Sequence, residues 1–376
     1  MQVLHIITGL NKGGAETLLC NLCEYDNQSK HTIISLSDIK ALELSFSELN
    51  NINVFSLNFP DGKIKISGIY KLYRLIKRIN PDIVQTWMIH ADFIGGIAAR
   101  LAGIKNIFWG VHHTVLFHGS IKWSTIFILK FNALLSHFIP KKIVYCAEKS
   151  RSAQESIGFK KSIGIVIQNG YNVQKFTKNT DLSSSFREEL KISDDTFVIG
   201  HVSRYDPLKD QNTLIEALDI LKKNRLDFTA VLIGKNLDSD NNDLIRMIEE
   251  KELSGHIHLL GERDDIPIVM NAIDLFVLSS ISEAFPNVLN EAMACGTPCV
   301  TTNVGDAALI VKNTGWIVPP KNPKLISNAI IDAENEFRSR NHLWLIRKDE
   351  CHKRINENFS LQKMIEKYKK LWSNNL

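Results

Sequence analysis

Three things are scarce in this chain of 376 residues, and each scarcity excludes something. Cysteine comes first: Cys20, Cys23, Cys146, Cys295, Cys299 and Cys351 are scattered over the whole length, which is no disulfide framework and fits thiols in a reducing cytoplasm. Cys20 and Cys23 form a C-x-x-C, but no second Cys or His pair follows at ligand spacing. Buried thiols are therefore the reading, and no metal is expected. Net charge is the second: 45 basic against 41 acidic residues leave +4, too dilute for a nucleic-acid groove yet compatible with anionic ligands. The third is long apolar runs. The greasiest region, residues 121–139, is broken by Lys130, Asn132, Ser136 and His137 and falls short of the ~20 apolar residues a membrane span requires. It reads as a core-facing helix. The alternative is an amphipathic element against a membrane, with Trp123, Phe127, Phe131 and Phe138 flanked by Lys122, Lys141 and Lys142. The chain opens on a strand-like segment with no cationic leader and cleavage site, so a cytoplasmic location is expected.

What is present is an ordinary globular composition, 44% hydrophobic and 23% charged, at a length that predicts two domains. Short apolar runs at residues 3–8, 31–36, 53–58, 82–87 and 106–113 alternate with helical patterns from Ala15, near 69–79 and near 93–102. Strands separated by helices predict a doubly wound parallel sheet. The rhythm restarts after Asn169-Gly170, with strands near 197–203, 228–234, 256–261, 275–280 and 298–302 and helices near 212–223, 244–250 and after Pro286. The expectation is a first domain over 1–168, a second over 169–355, and an amphipathic tail helix over 356–376 that needs an apolar surface to cover. Ligands of such sheets sit beyond the carboxyl ends of the strands, which predicts a reaction crevice between the two domains.

Several segments carry chemistry. The loop from Gly9 to Glu16, with Gly13 and Gly14, follows a strand and opens a helix, where free N–H groups favour anions or sugar hydroxyls. It also reads as a plain tight turn, because it matches neither the P-loop nor the dinucleotide fingerprint. Arg204 ends a strand and Lys209 follows in the loop, two long cations whose natural partner is a diphosphate. Glu283 precedes a helix begun by Pro286 and capped by Gly296, and Glu291 lies on it. One carboxylate can then accept sugar hydroxyls while the other binds a ribose, with the helix start facing phosphate. His112 and His113 end a first-domain strand, and one imidazole is a candidate for a sugar or acceptor hydroxyl; a buried, hydrogen-bonded histidine is the alternative.

Together these residues resemble the retaining glycosyltransferases of family 4. The likeness runs over almost the whole chain: the Gly13-Gly14-Ala15-Glu16 loop, the strand-end His, the Val166–Gly170 hinge, Arg204 with Lys209, Glu283 with Glu291, and the Phe359–Tyr368 tail. The resemblance implies the GT-B fold: two facing Rossmann-like parallel-sheet domains with a C-terminal helix crossing back to the first. It implies that Arg204 and Lys209 hold the donor diphosphate, and Glu291 the ribose. Glu283 and the backbone of Phe285, Pro286, Asn287 and Val288 would hold the donor sugar, and groups near Glu262 and Arg263 the base. His113, followed by Thr114, matches the family's strand end better than His112 and would face the reacting side of the sugar.

One departure stands out: Val304-Gly305-Asp306-Ala307-Ala308-Leu309 occupies the place where the family often has a Gly-Gly and then an acidic residue. A subset of bacterial polysaccharide transferases shares it. With the abundance of Lys, Ile and Asn, this points by analogy to capsule, O-antigen or lipopolysaccharide synthesis. The implied enzyme takes a nucleotide-diphosphate sugar, UDP-linked for preference, to a glycan or lipid-linked saccharide. It is expected to work without cofactor or metal, with a peripheral contact with the inner membrane as a further expectation. The rival readings are a UDP-sugar epimerase of the same fold, which needs no acceptor, and a catalytically inactive partner in a glycan-synthesis complex; a nicotinamide dehydrogenase lacks its glycine fingerprint.

Overall fold

The structure is a computed structural model that describes residues 1–10, 13–37, 52–59, 66–113, 123–339 and 341–376. Asn11, Lys12, Thr114 and Lys122 of the motifs above lie outside the described residues. The chain divides into two compact units, Met1–Gly170 with Leu361–Leu376, and Tyr171–Ser360.

Among the described residues the first unit holds seven strands: β1 (Gln2–Ile7), β2 (Lys30–Ser35), β3 (Ile52–Ser56), β4 (Ile83–Trp87), β5 (Ile107–Val111), β6 (Lys142–Tyr145) and β7 (Gly164–Val166). They run parallel in the order β3-β2-β1-β4-β5-β6-β7. Parallel strands covered on both faces need apolar residues at nearly every position, and β1 supplies them. Val3 and Ile7 pack on one face with Leu19 and Leu22, while Leu4 and Ile6 enter the core on the other with Leu72, Ile94 and Ala98. The second unit repeats the plan with β8 (Phe197–Val202), β9 (Phe228–Ile233), β10 (Ile257–Leu259), β11 (Leu275–Leu278), β12 (Cys299–Thr302) and β13 (Trp316–Val318). Their order is β10-β9-β8-β11-β12-β13, again all parallel. In each sheet the strand order reverses once, between β1 and β4 and between β8 and β11, and there the loops leaving the carboxyl ends part to opposite sides and open a cleft.

The tail is two helices rather than one bent helix. Asn341–Asn358 ends in the second unit, where Tyr171 N–H donates to the Phe359 carbonyl at 2.9 Å and Tyr171 bridges to Ser360. Leu361–Ser373 belongs to the first unit. Its Leu361, Met364, Ile365, Tyr368, Leu371 and Trp372 recur at three- and four-residue spacing and are all buried on the face shared by Val3, Ile7, Phe108 and Val144.

Under that helix runs a chain of buried hydrogen bonds. Trp87 Nε1–H donates to His5 Nδ1 at 3.2 Å, and an indole can only donate. The His5 proton is therefore on Nε2, which meets His31 Nδ1 at 2.9 Å, and His31 in turn puts its Nε2 3.3 Å from Asp26 Oδ2. Burial holds the His5 imidazole well below its ordinary pKa, with a further push from His31, so it is neutral. Trp372 lies against both rings, with centroids 5.9 Å from His5 and 6.3 Å from His31, and Lys369 Nζ approaches Asp26 at 3.7 Å.

The helix expected to face the core does so with one side only, through Leu129 and Ala133 with Ile128 and Leu135 packed beside them. The helix Trp123–Leu135 forms, but of its long apolar side chains only Leu129 is buried, beside Asn132 and Ala133. Its aromatic stripe points outward instead. Asn132 explains the rotation: its amide donates to the Ile89 carbonyl at 2.9 Å, which turns that face, and not the aromatic one, inward.

Trp372→Ala should cost about 3–5 kcal/mol, the range for emptying a fully buried aromatic site. Differential scanning calorimetry should show the loss as a lower midpoint for the transition of the first unit.

Candidate active site

The reversal point of the second sheet gathers the charged groups. Arg204 follows the end of β8, and Asp206 organises the loop behind it. Asp206 Oδ2 accepts from Arg204 Nε at 2.9 Å, and its Oδ1 accepts from the Leu208 N–H at 2.9 Å. The Arg204 side chain is 60% exposed, so most of its guanidinium faces solvent. Lys209, at the end of the same loop, donates from Nζ to Glu283 Oε1 at 2.6 Å. Ser280 Oγ donates to that same oxygen at 2.7 Å, leaving Oε2 with no hydrogen-bond donor among the described residues.

The two loops are also stitched through their backbones. Ser279 Oγ donates to the Lys209 carbonyl at 2.8 Å, and Ile281 N–H to the Leu208 carbonyl at 2.9 Å. Beneath Arg204, Gly234 sits at φ +136° so close that a Cβ there would lie 2.0 Å from the Ser203 carbonyl oxygen. Beneath Glu283, Gly305 at φ +50° would bring a Cβ to 2.3 Å from the Ala284 oxygen and 2.5 Å from the Glu283 oxygen. Both positions require glycine for close approach and for the left-handed backbone. Asp306 completes the support, its N–H donating to the Ala284 carbonyl at 2.9 Å.

Pro286 is the residue before the helix Asn287–Ala294 rather than its first turn, and no side chain caps that helix start. Phe285 is buried with its ring 5.6 Å from Phe359, Val288 is half-buried, and Asn287 Oδ1 accepts the Tyr171 hydroxyl. Glu291 is half-buried on the same helix. Burial pushes its carboxyl up to about 7, partly offset by Lys175. Arg263 stands apart, in the loop after β10, two strands from β8. Its guanidinium is spent on Glu189 at 2.7 and 3.1 Å and on Asp265 at 2.8 and 2.7 Å, so what it can offer a ligand is backbone.

In the first unit, Gly13 precedes the helix Gly14–Tyr25, and a Cβ on it would lie 2.5 Å from Glu16 Oε2; the bare glycine lets that side chain fold back over the loop. His112 and His113 follow β5. His112 stacks on Trp87 with centroids 5.0 Å apart and planes at 15°, and neither ring nitrogen has a hydrogen-bond partner among the described residues. His113 Nε2 lies 3.0 Å from the Gln154 amide, which leaves Nδ1 for a ligand. Burial lowers His112 to about 3, helped by its neighbour, and His113 to about 4, so both imidazoles are neutral near pH 7. Met88, at the end of β4, holds φ +74°, a strained backbone for a non-glycine residue at the reversal point of this sheet.

Cys23, expected as a buried thiol, lies beside His5 and His31, with potential ligand atoms within 4.8 Å of one another. Both His5 nitrogens and His31 Nδ1 already serve the hydrogen-bond chain under the terminal helix, His31 Nε2 lies 3.3 Å from Asp26 Oδ2, and burial holds the thiol well above its ordinary pKa. Sequence reasoning missed Asp206, Ser280 and Gly234, which touch the site only by supporting other residues; the one visible signal was a glycine directly after a strand.

A pair of parallel-sheet Rossmann-like units with cations and a carboxylate at the reversal point of the second fits the GT-B class of glycosyltransferases. Two sequence profiles agree with this: "Glycosyltransferase Family 4" over residues 12–175 and "Glycosyl transferases group 1" over residues 183–344. The chain belongs to glycosyltransferase family 4. It is 26% identical over 313 residues to the Escherichia coli UDP-Gal:alpha-D-GlcNAc-diphosphoundecaprenol alpha-1,3-galactosyltransferase, covering 82% of this chain and 79% of that protein. To the Staphylococcus aureus capsular polysaccharide biosynthesis glycosyltransferase CapM it is 25% identical over 365 residues, covering 94% and 87%. The crystal structure of Anabaena HepE in complex with UDP superposes with a TM-score of 0.86 over 100% of both chains at 22% identity, a likeness of fold.

Two outcomes follow. Gly305→Ala should lower transferase turnover at least tenfold by displacing Glu283, whereas Gly103→Ala, at φ +88° with open space around it, carries similar backbone strain and should leave turnover unchanged. For Glu291 the folded pKa lies above the ordinary 4.5, so the protonated group favours the folded state below that value and the benefit is lost as pH rises through about 7. Denaturant unfolding of wild type against Glu291→Gln should therefore show a stability difference that falls between pH 4.5 and 7 by on the order of 2 kcal/mol, discounted for partial exposure, and is flat above pH 8.

Proposed function

We propose that this transferase moves a sugar, with retention of anomeric configuration, from a UDP-sugar to a lipid-linked saccharide. The reaction belongs to bacterial surface polysaccharide synthesis, at the cytoplasmic face of the membrane. The observation that carries the reading is the Lys209–Glu283–Ser280 cluster beside Arg204. It offers two cations to a diphosphate and a carboxylate with a free oxygen to sugar hydroxyls. Support for the donor comes from HepE, solved with UDP; support for the acceptor comes from the E. coli relative, whose substrate is diphosphoundecaprenol-linked.

In this reading Arg204 and Lys209 bind the diphosphate and stabilise the charge that develops as it leaves. A phosphate oxygen of the leaving group takes the acceptor hydroxyl's proton while the sugar passes through an oxocarbenium-like state, so no protein nucleophile is needed. Glu283, with backbone of Phe285, Pro286, Asn287 and Val288, binds the sugar, and Glu291 the ribose hydroxyls. Burial raises that carboxyl to about 7, and a protonated carboxyl can donate as well as accept in such a pair of hydrogen bonds. Backbone near Arg263 serves the base. In the first unit His113, neutral and with Nδ1 available, and the Gly13–Gly14 loop serve the sugar and acceptor hydroxyls.

Arg204→Ala should lower kcat by about 10²–10³, the scale for losing one charge-stabilising group, with the thermal midpoint unmoved because the side chain is mostly exposed. Near-normal turnover would overturn the assignment. Product formation from donor alone would favour the epimerase, and absence of UDP binding by calorimetry the inactive partner.

A further inference from the structure

Between Asp92 and Glu148 lie 55 residues without a single acidic side chain, and they carry six cations: Arg100, Lys105, Lys122, Lys130, Lys141 and Lys142. The remaining 39 basic and 41 acidic residues sum to −2, so the entire positive excess of a +4 chain is concentrated in this stretch. The same stretch carries the outward-facing aromatic stripe. Trp123 is 81% exposed, Phe127 63%, Phe131 39%, Leu134 60% and Phe138 72%. Spaced by four, four, three and four residues, they share one side of the helix and the turn that follows it. The Phe127 and Phe131 rings lie 4.6 Å apart.

The neighbouring helix end joins the same surface. Arg100 donates to the carbonyls of Phe138 and Ile139, and next to it Leu101 is 66% exposed. Lys105 and Lys130 are exposed in the same stretch, and Lys141, also exposed, donates to Asn106 Oδ1 at 3.0 Å and to the Asn375 carbonyl.

Scattered exposed apolar residues need no explanation, but a continuous aromatic stripe does. Its surroundings select the occupant. Two copies of this chain meeting through the stripe would bring cations against cations, with no acidic residue in the stretch to offset them. An anionic lipid surface satisfies both halves: aromatic and aliphatic side chains enter the boundary between headgroups and acyl chains, and Lys side chains meet lipid phosphate.

We propose that this face docks on an anionic bilayer, with Trp123, Phe127, Leu134 and Phe138 inserted and Lys105, Lys130 and Lys141 on the headgroups. The proposal rests on the membrane-face location given above and assigns it to a particular surface. That surface lies in the first unit and uses none of the residues assigned to donor or acceptor.

The test is co-flotation of the full chain with vesicles of phosphatidylcholine containing 30% phosphatidylglycerol, against vesicles of phosphatidylcholine alone. The protein should float with the anionic vesicles at least tenfold more than with the neutral ones. Phe127→Ser with Phe138→Ser, and separately Lys105→Glu with Lys130→Glu, should each lower that partition at least tenfold with circular dichroism unchanged. Equal flotation with both vesicle types, or flotation untouched by both double variants, would overturn the proposal. So would a dimer in light scattering that Phe127→Ser with Phe138→Ser dissolves, since the face would then belong to a second copy. Turnover with a water-soluble acceptor tests the enzyme reading separately, and both double variants should retain it.

Discussion

The candidate site of the second unit depends on one ion pair. Lys209 and Glu283 come from loops leaving the carboxyl ends of β8 and β11, neighbours at the point where strand order reverses, and meet at 2.6 Å. A partly buried pair of this kind does little for stability, since desolvation offsets most of the attraction. Its effect here is positional. It holds a cation and a carboxylate at one sheet edge before any ligand arrives, and Ser280, Ser279 and the Gly305 crossing keep the two loops in register around it. A diphosphate arriving there meets charges already placed, so little reorganisation is left for the reaction itself.

The first unit is held by a different device. A polar chain from Trp87 through His5 and His31 to Asp26 lies inside an otherwise apolar face, and the last helix of the polypeptide closes over it. Each proton along that chain has a definite place, because the indole at one end can only donate. Buried polar groups with fixed partners favour one arrangement over many near-equivalent ones. The terminal helix is thereby located as well as covered, although it follows 190 residues of the second unit, Tyr171–Ser360.

Much of the architecture was legible along the chain. Residues 3–7, 107–111 and 197–202 are apolar at nearly every position, which only a sheet buried on both faces requires, and the intervening helical periods imply parallel strands. Strands β6, β7 and β13 escape a sequence reading because three or four residues carry no period. The tail was read as one helix because its apolar spacing barely changes at Phe359, where a backbone hydrogen bond to Tyr171 breaks it. The outward turn of the aromatic stripe was invisible for a related reason: periodicity shows that a helix has an apolar side, but not whether the rest of the unit has surface left to cover it.

The sequence by itself determined the class of fold, the positions of Arg204, Lys209, Glu283 and Glu291 near strand ends and one helix, and the family, because these follow from local pattern and short-range spacing. Only the tertiary structure decided that Lys209 and Glu283 touch, that Arg263 is spent on Glu189 and Asp265, and that Glu291 titrates near neutrality. It also decided that a glycine after a distant strand makes room for Arg204. Each of these depends on groups up to 74 residues apart in the chain meeting across strands, and neither distance nor burial is written in local sequence.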